Sequence, residues 1–302
     1  MFDVVGVGTN SVDEVLQLPA ETAEVAAAGK ARITERHFLC GGQTATLTAA
    51  CAALGLTSRY VGAFGCDGHG QLIRQTLLAR GVDVAGTIEC DAPNRSAVIL
   101  VDPGGRRTVL WHRSERLKLL PPDIEPQFLE GRILHVDDDD PELAFWAART
   151  ACAAGMRVTS DLEHVSDTVE QLFSTVTYPI VEQHFPSRLI GETDPERALR
   201  KLRRLNPGVL CMTLGEQGSV ALDGDRFHVA PAFVVPVVDN TGAGDVFRAG
   251  FIYGVLQNWR VPDILRFANA AAAVSCTRLG AIPSVPAIRD VQELLARGGS
   301  GF

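Results

Sequence analysis

The sequence contains no run of 18 apolar residues, no lysine- or arginine-rich stretch, and no cysteines spaced as CxxC. The first absence argues against a membrane span. The second, together with a net charge of −8, argues against nucleic acid or an anionic membrane surface as the main partner. The 7 cysteines are scattered and odd in number, so we expect buried, reduced thiols in a cytoplasmic protein rather than zinc ligands or disulfides.

Several catalytic signatures are also missing. The chain has no GxxxxGK[ST] motif, which excludes the P-loop route to ATP, and no GxSxG elbow, which argues against a serine hydrolase. The segment GVGTNS (6–11) holds only part of the dinucleotide-binding GxGxxG pattern. His37, His69 and His135 have no partners at the spacing of a metal site or a triad, so we interpret them as structural.

The sequence does contain a regular alternation of short apolar runs and helical patterns, beginning with FDVVGVG before TATLTAACAALG. Strands that alternate with helices indicate βαβ units. We therefore predict a single α/β domain over residues 1–302, built on a doubly wound, mostly parallel sheet. The opening MFDVVGVG has no basic leader and is typical of a first strand rather than a signal peptide. Ligands of such sheets bind beyond the carboxyl ends of the strands.

Two segments interrupt this alternation, residues 14–38 and 96–113. The first is polar and alanine-rich, and the second has the pattern of a hairpin that turns at Pro103, Gly104 and Gly105. We expect both segments to leave the sheet as short antiparallel strands. Because long insertions in compact domains are usually functional, we predict that they form a small β-lid over the site.

The stretch DNTGAGDVFRAGF (239–251) places three small residues, Gly242, Ala243 and Gly244, directly before Asp245. The preceding FVVPVV predicts a strand, and the apolar residues that follow predict a helix from about Asp245. A helix that begins without bulky side chains exposes unpaired backbone N–H groups, which bind anions. An ordinary N-cap aspartate is the alternative interpretation.

In the first part of the chain, CGGQTATLTAACAALG (40–55) opens a helix of small residues after Gly41 and Gly42. These glycines either admit a polar ligand or allow tight helix–sheet packing. Asp13, in VGTNSVDEV at the end of the first predicted strand, could accept hydrogen bonds from two hydroxyls or belong to a turn. In HVDDDD (135–140), a solvated turn and helix N-terminus are favoured over a magnesium or hydroxyl site. In SDLEH (160–164), we expect one of the two carboxylates to face the site.

Later in the chain, TLGEQGS (213–219) predicts a turn between two strands. This turn either lies along a nucleotide or forms a plain hairpin. FANAAAAVSCTRLGAIPSVP (267–286) predicts an alanine-rich helix followed by a loop, for which a core helix without a ligand is the alternative.

Taken together, these segments resemble a known family. DNTGAGDVFRAGF closely resembles the second signature of the ribokinase-like carbohydrate kinases, the phosphofructokinase B family, and residues 41–55 resemble the first signature. YVGAFGCDGHGQLIRQTLLARGVDV (60–84), TLGEQGS and FANAAAAVSCTRLGAIPSVP match the family in order and spacing. The resemblance implies a ribokinase-like fold and ATP-dependent phosphorylation, with Mg²⁺, of a hydroxymethyl group on a sugar or related polyol.

The resemblance also implies individual roles. Asp245 would be the base that accepts the proton of the acceptor hydroxyl, and Gly242, Ala243 and Gly244 would supply N–H groups to the transferring phosphoryl group. The substrate contacts implied or aligned nearby are Asp13, Ser11, Gly41, Gly42, Thr46, Trp111 and Asp137. The nucleotide-side residues are Thr213, Gly215, Gly218, Asn269 and Glu182.

Some positions depart from the family pattern. Where the family has an NxxE motif that organises magnesium, this chain has Glu182-xx-Phe185. Ser11 stands where ribokinases have a sugar-binding asparagine, and Thr46 is the polar residue nearest the missing asparagine of the first signature. Residues 41–55 and CTRLGAIP look closest to the sulfofructose kinase branch. However, Trp111 and the Asp137–Asp140 run replace its expected sulfonate-binding groups, which favours a neutral sugar.

The resemblance further implies a potassium ion between the loop before the catalytic motif and the loop after the alanine-rich helix. Asp239 would supply a carboxylate and Ser284 a hydroxyl, and the backbone carbonyls would come from Thr241, Ser275, Arg278 and Gly280. The alternative is that the two loops simply pack, with Asp239 capping its own turn. In many family members the lid also forms a dimer face, so we expect a homodimer.

Two other functions stay open from the sequence. One is a kinase for a nucleoside or hydroxymethyl-heteroaromatic alcohol, for which Trp111 is the candidate stacking residue. The other is a sugar sensor that binds without turnover, which the altered NxxE motif would allow.

Overall fold

The computed structural model describes residues 1–104 and 106–297. Gly105, one of the three predicted hairpin-turn residues, lies outside the described residues. In chain order the strands are β1 (Phe2–Val7), β2 (Ser11–Gln17), β3 (Glu35–Gly41), β4 (Ser58–Val61), β5 (Ala63–Gly65), β6 (Ile88–Cys90), β7 (Ser96–Val101), β8 (Arg107–His112), β9 (Gly131–Asp137), β10 (Arg157–Asp161), β11 (Ile180–Glu182), β12 (Leu210–Thr213), β13 (Ser219–Asp223) and β14 (Arg226–Ala230).

The α-helices follow the same order. They are α1 (Thr22–Ala28), α2 (Gln43–Ala53), α3 (Gly68–Ala79), α4 (Pro141–Ala153), α5 (Val169–Thr175), α6 (Phe185–Ile190), α7 (Pro195–Leu202), α8 (Ala243–Leu256), α9 (Val261–Ser275), α10 (Ala281–Ser284) and α11 (Ile288–Arg297). Short 3₁₀ turns cover Glu115–Leu117, Pro121–Asp123, Pro126–Leu129 and Gly215–Gln217.

The main sheet is mostly parallel, as predicted. One ladder has the order β10-β9-β1-β4 and is parallel throughout. A second has the order β11-β12-β13-β14, in which β11 and β12 are parallel and the last two pairs are antiparallel. Two isolated parallel bridges, Thr159–Tyr178 and Leu162–Val181, join β10 to β11 and make one continuous sheet.

Helices cover both faces of this sheet because the side chains of each central strand alternate between two apolar cores. In β1, Val5 and Val7 pack with residues of α4, α5 and α7, whereas Val4 packs on the opposite face with residues of α2, α8 and α9. Leu134 and Ile133 of β9 divide in the same way. This arrangement confirms the predicted doubly wound class.

A separate four-stranded sheet, which we call the lid sheet, has the order β3-β2-β7-β8. The structure corrects the predicted segments in two ways. First, β2 begins at Ser11, so Asp13 belongs to the lid sheet rather than to a turn after β1. Second, β2 and β7 pair in parallel, although both outer pairs are antiparallel as expected. The alanine-rich part of 14–38 forms α1, in which no residue is buried.

The stretch FVVPVV was predicted to be a strand, and this prediction is wrong. Residues 231–238 follow β14 without regular structure, and Val234, Val237 and Val238 are largely exposed. Pro236 has no N–H to donate to a ladder, which disfavours strand pairing there. The helix of the opening motif begins at Ala243, so Asp245 lies within its first turn.

Candidate active site

The carboxyl ends of the parallel strands meet at one edge of the main sheet. In the β9–β10 ladder Asp137 is paired with Asp161, and in the β11–β12 ladder Glu182 is paired with Thr213. These four residues come from separate parts of the chain, yet the register brings each pair side by side. Open α/β sheets bind their ligands along this edge.

The first turn of α8 lies at the same edge. Its N-cap, Gly242, has φ 77°, and a Cβ at this position would stand 2.8 Å from the Cβ of Ala281, so only glycine fits the turn without strain. The N–H of Ala243 donates to the carbonyl of Asn240 at 3.2 Å. The N–H of Gly244 has no helical carbonyl to reach, which leaves it at the positive end of the dipole.

Asp245 is buried in this turn. Burial raises its pKa well above the ordinary value, and the nearby carboxylate of Asp161 raises it further, while Arg248 acts in the opposite direction. A buried carboxylate with a raised pKa at the carboxyl edge of a parallel sheet is typical of a catalytic base.

Arg248, one turn after Asp245, is a residue that the sequence did not single out. Its side chain is buried and forms an ion pair with Asp161, whose side chain is also buried. The Nη1 atom lies 2.8 Å from the position that a Cβ on Gly244 would occupy. The pair therefore lies directly behind the turn that holds Asp245. Of the two carboxylates in SDLEH, Asp161 lies against this turn through Arg248, and Glu163 is close enough for its charge to raise the pKa of Asp245 as well.

The predicted acceptor residues gather around the start of α2. The hydroxyl of Ser11 donates to Asp13 at 3.0 Å. A Cβ on Gly41 would lie 3.4 Å from Asp13 Oδ2, and burial raises the pKa of Asp13. Gly42 caps α2 with φ 94°, and a Cβ there would stand 2.3 Å from the Cα of Asn10.

Thr46 connects this group to α8. Its Cγ2 lies 3.2 Å from the position that a Cβ on Gly242 would occupy. Its hydroxyl is buried and has no hydrogen-bond partner among the residues that the structure describes. A buried polar group without a partner is costly, so this hydroxyl is available to a polar ligand.

Asp137 is placed at the predicted edge, but its carboxylate is already engaged within the protein. Oδ2 accepts from the backbone N–H of Thr9 at 2.7 Å, from the Thr9 hydroxyl at 3.0 Å and from the Thr44 hydroxyl at 2.8 Å. Burial, together with the charge of Asp139, raises the pKa of Asp137 to about 6. This carboxylate ties the end of β1 to α2.

The run of four aspartates agrees only in part with the expectation: Asp140 is the N-cap of α4, as expected, but the first two aspartates are buried rather than solvated. Asp138 is buried, and its Oδ2 accepts from the backbone N–H groups of Glu163 at 2.7 Å and His164 at 2.6 Å. It therefore joins the loops after β9 and β10.

The last two aspartates of this run pair with arginines that flank the lid sheet. Arg95 lies 2.7 Å from Asp139, and Arg113 lies 2.7 Å from Asp139 and 2.6 Å from Asp140. A cleft beside these pairs is lined by the ends of β1 and β4 and by both arginines. Trp111 is 67% exposed, with the Arg95 guanidinium 5.7 Å from its ring centre.

The predicted nucleotide residues gather around the hairpins of the second ladder. Gly215 and Gly218 have φ 58° and 98°, and a Cβ on Gly218 would stand 2.2 Å from the carbonyl oxygen of Ala230. Asn269 donates to that same carbonyl at 2.9 Å and to the carbonyl of Pro231 at 3.2 Å. These residues therefore meet where β14 ends.

Glu182 lies beside Thr213, but its carboxylate is bonded to Arg188 and to the backbone N–H of His184. Phe185, which stands where the family motif has glutamate, is fully buried in the apolar core. The second carboxylate of that motif is therefore replaced by a core side chain.

The residues predicted to hold potassium lie in two adjoining loops. Asp239 is buried, and its carboxylate accepts from the N–H of Thr241 at 2.8 Å and the N–H of Gly280 at 2.8 Å. The hydroxyl of Ser275 donates to Ala272 O and that of Ser284 to Ala281 O, each at 2.8 Å. The Arg278 side chain pairs with Asp290 outside these loops.

Arg107 of β8 also contacts these loops, and no local sequence pattern indicates this contact. Its Nη2 lies 2.5 Å from Asp239 Oδ1, and its Nη1 donates to the Thr241 hydroxyl at 2.6 Å. The partner is 132 residues away along the chain, so only the fold reveals the contact. Arg248 could have been suspected, because a charged residue interrupts the apolar run that follows Asp245 in this helix.

The remaining chemistry of the chain is simple. Among residues 1–104 and 106–297, no group of three His, Cys, Asp or Glu is arranged to hold a metal ion. His135 is buried against the Thr159 hydroxyl, and all 7 cysteines are free thiols. Within the same residues no helix has both the length and the hydropathy needed to cross a bilayer.

Comparison with known proteins places this site in context. A family model described as pfkB family carbohydrate kinase matches residues 10–288. The chain is 30% identical over 284 residues to a fructokinase of Klebsiella pneumoniae, covering 84% of this chain and 91% of the relative. It is 29% identical over 278 residues to an ATP-dependent ribose-1-phosphate kinase of Halopiger xanaduensis, covering 84% and 86%.

Solved structures agree over the full fold. Ribokinase from Thermotoga maritima superposes with a TM-score of 0.84 at 25% identity, covering 98% of this chain and 100% of that one. Arabidopsis thaliana ribokinase, solved with ribose and ATP, superposes with a TM-score of 0.83 at 25% identity, covering 97% and 98%.

Proposed function

Because this chain belongs to the pfkB family of carbohydrate kinases, we propose that it transfers the γ-phosphoryl group of ATP to a hydroxymethyl group of a sugar or related polyol. The observation that carries the proposal is the position of Asp245. Its carboxylate is buried in the first turn of α8, and the glycines just before it leave the backbone N–H groups of the helix N-terminus uncovered by side chains. Opposite this turn lie the polar residues of β2 and α2.

In this proposal Asp245 accepts the proton of the acceptor hydroxyl as its oxygen bonds to phosphorus. The bond between that phosphorus and the bridging oxygen of ADP breaks, and ADP leaves. Phosphoryl transfer needs positioning, charge stabilisation and a base. The backbone N–H groups of Gly242, Ala243 and Gly244 would stabilise the charge on the phosphoryl group. For Ala243 this requires release of its bond to Asn240.

The acceptor would be held between the lid sheet and α2. Asp13 and Ser11 are hydrogen-bonded to each other. Asp13 would accept hydrogen bonds from hydroxyls of the acceptor and Ser11 would donate to them. The lack of side chains at Gly41 and Gly42 would let the acceptor approach the backbone closely. The unpartnered hydroxyl of Thr46 supports its role as a further contact. Asp137 would act indirectly, because its bonds to Thr9 and Thr44 fix the floor of the site.

The nucleotide would lie over Thr213, Gly215, Gly218 and Asn269, at the end of β14. Glu182 and Phe185 do not fit a magnesium ion held by the protein, because the carboxylate is bonded to Arg188 and the phenyl ring is in the core. We therefore propose that Mg²⁺ would be held by the phosphates of ATP rather than by these two side chains. The potassium site stays a prediction, with a competitor in the Arg107–Asp239 pair.

The structure weakens the preference for a neutral sugar that the aspartate run suggested. Asp139 and Asp140 are paired with Arg95 and Arg113, so these two aspartates present little uncompensated charge to an anionic acceptor. The test set of acceptors therefore includes sugar phosphates as well as neutral pentoses, hexoses and polyols.

Two further parts of the proposal concern the lid sheet. We propose that it closes over the acceptor and that it forms a homodimer interface. Every residue of β8 is exposed and this strand is an edge, so it presents unpaired backbone groups beside Leu110 and Trp111. Exposed edges are usually covered. We place the protein in the cytoplasm, consistent with its free thiols.

An ADP-release assay across sugars, sugar phosphates, nucleosides and hydroxymethyl-heteroaromatics tests the proposal. Turnover with a sugar or polyol supports it, and preference for a nucleoside would favour the alternative kinase function. Binding of a sugar without ADP release under any condition would favour the sensor. Trp111 is exposed at the edge of the lid, so its ring does not form an enclosed surface on which an aromatic substrate could stack.

A further inference from the structure

Asp239 is the only acidic residue of the loop before α8, and its carboxylate accepts hydrogen bonds from both adjoining loops and from the lid sheet. Oδ1 accepts from the N–H and the hydroxyl of Thr241 at 2.8 and 2.7 Å and from Arg107 Nη2 at 2.5 Å. Oδ2 accepts from the N–H of Gly280 at 2.8 Å. The side chain of Asp239 is 3% exposed, so a buried negative charge holds both loops together.

The compensating positive charge comes from the lid sheet. Arg107 is the first residue of β8, and its guanidinium contacts Asp239 and the Thr241 hydroxyl together. Burial raises the pKa of Asp239, but hydrogen bonds from Arg107, Thr241 and Gly280 outweigh it and lower the pKa overall. The carboxylate is thus kept ionised by a paired cation.

This arrangement does not fit the predicted potassium ion. An ion bound through Asp239 Oδ1 would share that oxygen with a guanidinium at 2.5 Å and would meet its charge at close range. An ion bound through Oδ2, which accepts from the N–H of Gly280, would meet a carboxylate whose charge Arg107 already balances. One unit of positive charge is therefore already paired with the carboxylate that the ion was expected to use.

We infer that Arg107 replaces the monovalent cation in this chain, as a positive charge tethered to the lid that holds the turn 239–242 against the loop at Gly280. Arg107 is then a positioning residue, because it acts through Asp239 and Thr241 on the turn that aims the N–H groups of α8. The charge is delivered with the lid strand itself, so closure of the lid and completion of the turn are one event.

The inference rests on the proposed kinase function for its catalytic consequence, but the unfolding measurement in its test does not. We compare wild type, R107Q, R107K and the control R106Q, each in potassium chloride and in choline chloride at equal ionic strength. Arg106 is the adjacent arginine and pairs with Asp102 and Glu21, away from the site. Two quantities are measured, the thermal unfolding midpoint and the kinetic constants with the best acceptor.

Wild type and R106Q are expected to have the same unfolding midpoint and kcat in both salts. R107Q is expected to lose roughly tenfold to a hundredfold in kcat in choline, with a smaller change in KM, because a displaced turn misaims the N–H groups. Potassium is expected to raise both its kcat and its midpoint, because the vacated carboxylate can then bind the ion. R107K keeps a charge and should remain close to wild type.

Potassium activation or stabilisation of wild type would overturn the inference, as would an R107Q variant that potassium neither stabilises nor rescues. If wild type released no ADP with any acceptor, the proposed function would fail. The unfolding midpoints would still decide whether Arg107 excludes the ion.

Discussion

The guanidinium of Arg248 lies against the carboxylate of Asp161 beneath the first turn of α8, and both side chains are buried. Asp161 is the last residue of β10 and Arg248 belongs to the helix that carries Asp245. The pair therefore links the edge of the main sheet to the helix of the proposed base. Two desolvated charges are stable there only while both are present.

Replacing Arg248 by glutamine should therefore destabilise the fold. Removing one partner leaves Asp161 buried and uncompensated, and we expect a loss of ~3–5 kcal/mol in the free energy of unfolding. Urea titration measures this loss. The matched control is R260Q, which removes an exposed arginine paired with Asp263 and should cost at most ~1 kcal/mol. Equal losses in the two variants would contradict a special role for the buried pair.

The variant D245N should lose turnover without losing the fold. Removal of the base and of its positioning is expected to lower kcat by about three orders of magnitude, with little change in the binding of acceptor or nucleotide. Because burial and Asp161 disfavour the ionised form of Asp245, the neutral amide should also raise the unfolding midpoint at pH 7. The exposed control D223N should change neither quantity. Near-normal kcat in D245N would remove Asp245 from the mechanism.

The pH dependence follows from the same carboxylate. Asp245 must be ionised to accept a proton, and its pKa lies well above the ordinary 3.8, so kcat/KM should fall as pH drops through this raised value. Arg248 lowers the pKa of Asp245, so R248Q should move the acid limb to higher pH and R248K should leave it near the wild-type position. An acid limb near pH 4 that R248Q leaves unmoved would refute this assignment.

The lid segments should become ordered when the acceptor binds. Hydrogen exchange of residues 14–38 and 96–113 is expected to slow with acceptor present, because water must be excluded from the phosphoryl donor. Exchange in β9 and β10, the centre of the main sheet, should stay the same and provides the internal control. Equal protection of the lid segments with and without acceptor would argue against closure.

The homodimer predicted through the lid can be tested at Leu110, which is 59% exposed on the edge strand β8. A glutamate there should convert a dimer into a monomer, because it places charge in the apolar part of the interface. Light scattering with size exclusion measures the mass. V229E alters an equally exposed strand residue on β14, at the far edge of the main sheet, and should leave the mass unchanged. A monomeric wild type would reject the interface.

The sequence predicted the parallel sheet and the position of α8 because these depend on short-range periodicity and on glycines whose backbone angles the turns require. It misplaced Asp13 and the run FVVPVV, where local patterns resemble a turn and a strand but pairing across the chain decides. The buried positions of Asp137 and Asp138 follow from bonds to Thr9, Thr44 and the loop at Glu163, which no local pattern encodes.

The arginines show the same limit in another form. Arg95, Arg107 and Arg113 belong to or flank the lid strands, and each finds its carboxylate on a distant loop. Side chains this long can reach partners in many folds, so their pairing is a property of the assembled structure. Arg248 is different, because a charge inside the apolar face of α8 already implies a buried partner.

The two bridges that join β10 to β11 have a mechanical consequence. Elsewhere in the sheet, neighbouring strands pair along ladders of several residues. Along this seam the two halves are joined by two isolated bridges, Thr159–Tyr178 and Leu162–Val181. The loops assigned to the acceptor lie on one side of the seam and those assigned to the nucleotide on the other, with α8 packed across it. With so few backbone pairings, we expect this seam to be the line along which the sheet twists most easily. A small twist about it would change the separation of donor and acceptor while leaving each half intact.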